Sequence, residues 1–335
     1  MTRARLVPLA IAIYAIAAAF SALLGLQNGR PFGLVAVALA AVAVAVRDRP
    51  LWLAVVLILG GTILRLTFYG VLEADGLAVS QAALRTVLEG GNPYGHGYDV
   101  SIPPGQPFVY GPLALLTSLP GAWVELAAGV GTMALMAYLR SWVALAIYAA
   151  FPLATTMTMS GTNDVLPGLL IASGLLALRW KPWVGGVLLA LAAGVKPYGF
   201  AWFPAAIGLG GLEALIGLAL FTAIAWAPLL WWGIGAFLQS VELAREAHPV
   251  PEDALNLPEL RVLAVVPFVA SFFSRSWLAG VLLGTAVFVL VLFLDRWASV
   301  SYWLALAPIL LIAGEETADR MLATRRQRMA PASGG

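Results

Sequence analysis

The sequence predicts an all-α polytopic membrane fold, and three observations predict it. Of 335 residues, 61% are hydrophobic and only 11% are charged, whereas a soluble domain carries about a quarter charged residues. Apolar runs recur along the whole chain, many near the length of about 20 residues that crosses a bilayer. No polar stretch is long enough to fold as a separate soluble domain. This excludes an ordinary soluble enzyme, a disordered chain and a nucleic-acid binder. The net charge of +2 needs no acidic partner. Zero cysteines remove disulfides, a thiolate nucleophile and cysteine metal sites. Two histidines, His96 and His248, are too few for a histidine-rich metal site.

Taken in order, the apolar runs fall at about 6–26, 32–46, 50–70, 123–139, 141–159, 164–178, 183–195, 198–210, 211–231, 261–274, 277–294 and 297–314. They form one integral domain over 1–335, a bundle of about 11–12 transmembrane helices. The first run follows Arg3 and Arg5 and resembles a secretory signal, but its apolar core is long and more spans follow, so it reads as an uncleaved anchor. The pair 183–195 and 198–210 is short, as broken or re-entrant helices are where protein covers the backbone.

Arginine placement sets the expected orientation. Arg3, Arg5, Arg47, Arg49, Arg140, Arg179 with Lys181, and Arg275 share one side with the basic tail at 315–335. That side is cytoplasmic, with both termini on it. Two polar regions then fall outside, at 71–122 and 232–260. Chemistry is expected there, on the extracytoplasmic face of the cell membrane.

The first outer region opens Glu73-Ala74-Asp75-Gly76. From Leu77 to Glu89, apolar Leu77, Leu84, Val87 and Leu88 alternate with polar Gln81, Arg85 and Glu89, the pattern of an amphipathic interfacial helix. Gly90-Gly91 ends it. The stretch from Phe108 to Pro120 reads as a second interfacial helix. Asp75, with Glu73 beside it, is open to two readings. It caps a helix start, or it is a general base able to take a proton from an acceptor hydroxyl.

Leu88-Glu89-Gly90-Gly91-Asn92-Pro93-Tyr94, followed by Phe108-Val109-Tyr110-Gly111-Pro112-Leu113, resembles the G-x-P-Y and F-x-Y-P-P-L pair of GT-C glycosyltransferases. The nearest branch is family 87, which includes polyprenyl-phosphate-mannose-dependent mannosyltransferases. Ser160-Gly161-Thr162-Asn163-Asp164 and the run from Gly185 to Lys196-Pro197 also resemble that family. Gly111 stands where the family more often has proline, and Thr162 where it often has glutamine.

The resemblance implies inverting transfer of a hexose, mannose in that family, from a polyprenyl-phosphate donor at the extracytoplasmic face. Asp75 is then the base. The leaving phosphate needs a cation, and Lys196 is one of only two lysines; its other reading is a snorkelling interfacial lysine. Asn163 and Asp164 cap a helix or touch sugar hydroxyls. Tyr110, Tyr94 and Asn92 line the site, or belt the interface and shape a turn. His248 or Arg261 reaches phosphate or sugar from the second outer region. The donor is lipid-linked, membrane lipid surrounds the chain, and the acceptor is a glycan, glycolipid or protein. A divalent metal fits the several outer carboxylates, although no ligand spacing demands one. Two rival readings stand: a secondary transporter, and a non-catalytic subunit that binds polyprenyl lipid.

Overall fold

The computed structural model describes residues 6–72, 74–247, 257–294 and 299–329. Glu73, His248 and the arginines before the first run lie outside the described residues.

The architecture is all-α. Helices α1 (Val7–Gln27), α2 (Gly33–Ala45) and α3 (Pro50–Thr67) follow the first three expected runs closely. Then come α4 (Asp75–Leu88), a small hairpin of β1 (Gly97–Tyr98) and β2 (Gln106–Pro107), α5 (Leu113–Thr117) and α6 (Trp123–Tyr138). The strands pair antiparallel, with Gly97 opposite Pro107 and Tyr98 opposite Gln106. Helices α7 (Trp142–Ala150), α8 (Pro152–Met157), α9 (Val165–Ala177) and α10 (Pro182–Val195) follow. A 3-10 segment, Pro197–Trp202, leads into α11 (Phe203–Trp226), then α12 (Leu229–Trp232) and α13 (Ile234–Ala247). A second 3-10 segment, Pro258–Ala264, opens α14 (Val265–Ser271), followed by α15 (Trp277–Leu292) and α16 (Tyr302–Met329). Helix α16 carries the first part of the expected basic tail.

Three helical runs among the described residues are long and apolar enough to cross a membrane: Val7–Gln27, Pro50–Thr67 and Pro197–Trp226. The third is not one straight rod. Gly211 has φ 57° and ψ −142°, a backbone state that suits glycine. A side chain at Gly210 would fall 2.7 Å from Ala214 Cβ, which the ordinary i,i+4 spacing of a helix does not produce. Before the break, Gly199 lies against Ala193 and Gly210 against Pro182; after it, Gly217 lies against Trp183 and Gly194 against Ala225. The segment 197–210 therefore runs antiparallel to α10, and 212–226 runs parallel to it. The expected boundary between 210 and 211 falls on this reversal.

The chain divides into two compact units. One comprises residues 1–72, 129–159 and 307–335, and the other 73–128 and 160–306. In the first, Pro152 splits the expected fifth run. It has no N–H for the Tyr148 carbonyl one turn earlier. Fully buried Arg65 replaces that bond: its guanidinium donates to the carbonyls of Tyr148 (2.9 Å), Ala149 (3.0 Å) and Gly61 (3.0 Å). Its charge also lies 4.9 Å from the Tyr148 ring centroid. Ser21 Oγ donates to the next carbonyl, Ala150, at 2.8 Å. At the other end of α7, the Ala144 N–H donates to Glu315 Oε2 at 2.8 Å. A cation at the carboxyl end and an anion at the amino end both suit the helix dipole.

In the second unit the region 74–122 packs around a hydrophobic core that it shares with Val195 and Leu229. Val79, Ala83, Tyr94, Tyr98, Phe108 and Leu115 pack together there. Helix α4 is amphipathic as expected, but a different face is inside. It buries Gly76, Val79, Ser80 and Ala83, while Leu88 is 76% exposed. Small residues let α4 sit close to its neighbours; the leucines flank that contact. The second expected interfacial helix is only the short α5. Helix α13 lies in the second polar region, 232–260.

Candidate active site

Asp75 begins α4, and the cap reading fails for it. Ala74 holds the cap position, and no side chain caps the helix. The carbonyls of Ser160 and Gly161 do this work, and the Asn163 side chain ties down the first turn. Ala74 N–H donates to Ser160 O at 2.6 Å and Leu77 N–H to Gly161 O at 2.8 Å. Asn163 Nδ2 donates to Gly76 O at 3.3 Å and Ser80 Oγ at 3.2 Å. These bonds bracket Asp75 on both sides and leave its carboxylate unspent. Oδ2 accepts one long bond, from Ile102 N–H at 3.4 Å. Asn163 reaches Gly76 from φ 57°, a left-handed conformation that asparagine tolerates. Gly76 is required, because a Cβ there would lie 2.8 Å from the Tyr110 hydroxyl and 3.0 Å from Gly161 O.

Asp164 occupies the cap position of α9, yet it too leaves the capping to another group. Glu125, in the first turn of α6, accepts the Val165 N–H on Oε2 at 2.7 Å. Asp164 is completely buried and faces a cation instead. Its Oδ1 lies 2.7 Å from Lys196 Nζ and accepts the Tyr198 hydroxyl at 2.8 Å. Lys196 also donates to Thr162 O at 2.8 Å. The rings of Tyr110, Tyr198 and Tyr302 surround the ammonium at 5.0, 5.7 and 5.8 Å. Asp164 Oδ2 and Thr162 Oγ1 are buried with no hydrogen-bond partner.

Lys196 is therefore neither a snorkelling surface lysine nor an open phosphate ligand. It is 4% exposed, and its ammonium is taken up by a carboxylate, a carbonyl and three rings. Its backbone neighbour explains Gly111. The Gly111 N–H donates to Val195 O at 3.0 Å, and a Cβ there would fall 2.1 Å from Gly194 O. A proline could supply neither that N–H nor that clearance.

Tyr110 connects the two acidic groups. Its ring covers Lys196, packs edge-on against Phe108 (5.5 Å, 90°), and its carbonyl accepts the Tyr94 hydroxyl at 3.0 Å. Burial pushes its phenol well above the ordinary range, and the nearby Asp75 charge pushes it further the same way. Tyr94 is itself buried among Phe108, Trp232 and Phe237. Asn92 turns the chain: Oδ1 accepts Tyr94 N–H at 3.0 Å and Nδ2 donates to Trp232 O at 2.7 Å. Tyr94 and Asn92 thus hold the loop in shape, and their polar atoms are spent on the protein.

Arg261 stands apart from this cluster. It lies on the wall of an apolar cavity of about 330 Å³, with Phe200, Phe268, Val287, Phe288 and Leu292. Tyr198 borders the same cavity, so one residue meets both the cavity and the buried ion pair. No group of three or more metal-ligating side chains occurs among the described residues. No family model, curated protein or solved structure matches the chain.

Sequence reasoning missed Glu125 as the cap of α9, and Tyr198 and Tyr302 as walls around Lys196. It also passed over Arg65, although a charge inside an apolar helix is itself a signal. Tyr302, over a hundred residues from Lys196, carries no such signal.

Proposed function

We propose that the protein is a multi-pass membrane glycosyltransferase. It transfers a hexose, mannose by resemblance, from a polyprenyl-phosphate donor to an acceptor hydroxyl at the extracytoplasmic face. Both termini are cytoplasmic. The observation that carries this reading is the state of Asp75. It is a partly exposed carboxylate at a braced helix start, whose only hydrogen bond among the described residues is long. A general base needs a fixed position and an oxygen free to accept a proton.

Asp75 takes the proton of the acceptor hydroxyl as that oxygen attacks the anomeric carbon. The bond from that carbon to the phosphate oxygen breaks, and the lipid phosphate leaves with the electron pair. One displacement inverts the configuration. The apolar cavity suits part of an isoprenoid chain, and Arg261 suits its phosphate. Lys196 and Asp164 neutralise each other and stiffen the floor beneath Tyr110. The apolar composition and the long apolar helices Val7–Gln27 and Pro50–Thr67 support placement in a membrane.

The test is incubation of membranes containing the protein with labelled polyprenyl-phosphate hexoses, followed by mass analysis. A hexosylated product that depends on the protein is expected. Energised uptake of a solute by reconstituted protein, with no such product, would replace this reading with a transporter.

A further inference from the structure

The Tyr110 hydroxyl has no part in the fold. Among the described residues it makes no hydrogen bond, although every other part of the residue is held. The ring is gripped by the Lys196 ammonium and the Phe108 edge, and the backbone by Tyr94 and the clamped Gly111. The side chain is only half-buried. Its hydroxyl sits where a Gly76 side chain would be, next to Asp75 in sequence. A phenol held this firmly, with its hydrogen-bonding capacity unspent, is pre-organised for a ligand. It keeps its proton at neutral pH, since burial and the Asp75 charge both oppose ionisation.

The geometry points to Tyr110 as an acceptor-binding residue. Its hydroxyl donates a hydrogen bond to an oxygen of the hydroxyl-bearing acceptor while Asp75 accepts from a hydroxyl of the same molecule. A donor beside Gly76 and an acceptor on the adjoining Asp75 suit a polyol, which can be both acceptor and donor at neighbouring oxygens. A thiol or an aliphatic alcohol with a single oxygen satisfies only one of the two. The Tyr110 hydroxyl acts on the acceptor and not on the lipid phosphate, because it lies on the side of Asp75, and an inverting displacement puts base and leaving group on opposite faces of the sugar. This deepens the proposed function and rests on Asp75 being the base.

Tyr110→Phe removes one oxygen and keeps the ring over Lys196 and against Phe108. The experiment uses the purified full chain, labelled polyprenyl-phosphate mannose and octyl α-mannoside as acceptor. Wild type, Tyr110→Phe and Asp75→Asn are compared. For Tyr110→Phe, the acceptor KM should rise on the order of 10- to 100-fold, the worth of one hydrogen bond to a buried donor. Donor KM and melting temperature should stay at wild-type values. An unchanged acceptor KM, or a change in donor KM alone, overturns the role of Tyr110 while leaving Asp75 standing. Absence of product from wild type as well as the variants overturns the glycosyltransferase reading, and this role with it.

Discussion

Two buried cations, one in each compact unit, are held in opposite ways. Among the described residues Arg65 has no carboxylate partner; it rests on the carbonyls of Tyr148, Ala149 and Gly61, and on the Tyr148 ring. Lys196 rests on a carboxylate, one carbonyl and three tyrosine rings. The first arrangement repairs a helix. Its bond to Tyr148 O fills the place of the missing Pro152 N–H, and its bond to Ala149 O falls in the last turn of the same helix. The second spends an ion pair where no proline break requires one; each site leaves one buried atom unpartnered among the described residues, Arg65 Nε in the first and Asp164 Oδ2 in the second. A buried polar group that is not needed to satisfy the fold is the better candidate for function. The difference separates a structural charge from one that supports a site.

Replacement of each cation is the sharpest way to break that contrast. Lys196→Met strands a fully buried Asp164 and should cost the most, about 3–5 kcal/mol, read as thermal unfolding of the solubilised protein. Arg65→Met leaves neutral carbonyls unpaired and should cost somewhat less, about 2–4 kcal/mol. The two then diverge on second-site repair. Adding Asp164→Leu to Lys196→Met should return stability to within about 1 kcal/mol of wild type, because removing both charges removes the penalty. Arg65 has no single partner to remove, so no such double variant should rescue it. Failure of the Lys196 rescue would mean that the ion pair, like Arg65, is a fixed part of the fold. The smallest effect on stability, about 1 kcal/mol, is expected for Asn163→Ala. That variant should nonetheless slow transfer, since Asn163 ties down Gly76 beside Asp75; equal rates in the two proteins would remove it from the site.

Hydropathy made most of the helices legible, because long apolar runs leave a simple compositional trace. It even located the reversal at Gly211, where three glycines in four residues interrupt the apolar run. The outer region was legible as a region, with Asp75 at a helix start. Its inner face was not, because α4 buries Gly76, Ser80 and Ala83 for closeness rather than its leucines for area. Capping stayed open for a related reason. Sequence places an Asp at each helix start, but Ser160, Gly161 and Glu125 satisfy those amides from elsewhere in the chain. That exchange frees both aspartates, and nothing local announces it. The phosphate role expected of Lys196 failed because the ammonium is enclosed by Tyr302 and Asp164, neither adjacent in sequence.

The central claim is that the freed carboxylate of Asp75 acts as the base. Asp75→Asn keeps the shape and the acceptance of the Ile102 N–H while removing the ability to take a proton. The direct measurement is single-turnover transfer from labelled polyprenyl-phosphate mannose by the purified variant, alongside its melting temperature. The account predicts a fall in rate of at least about 100-fold with melting unchanged. Transfer at the wild-type rate by a stably folded Asp75→Asn protein would contradict it.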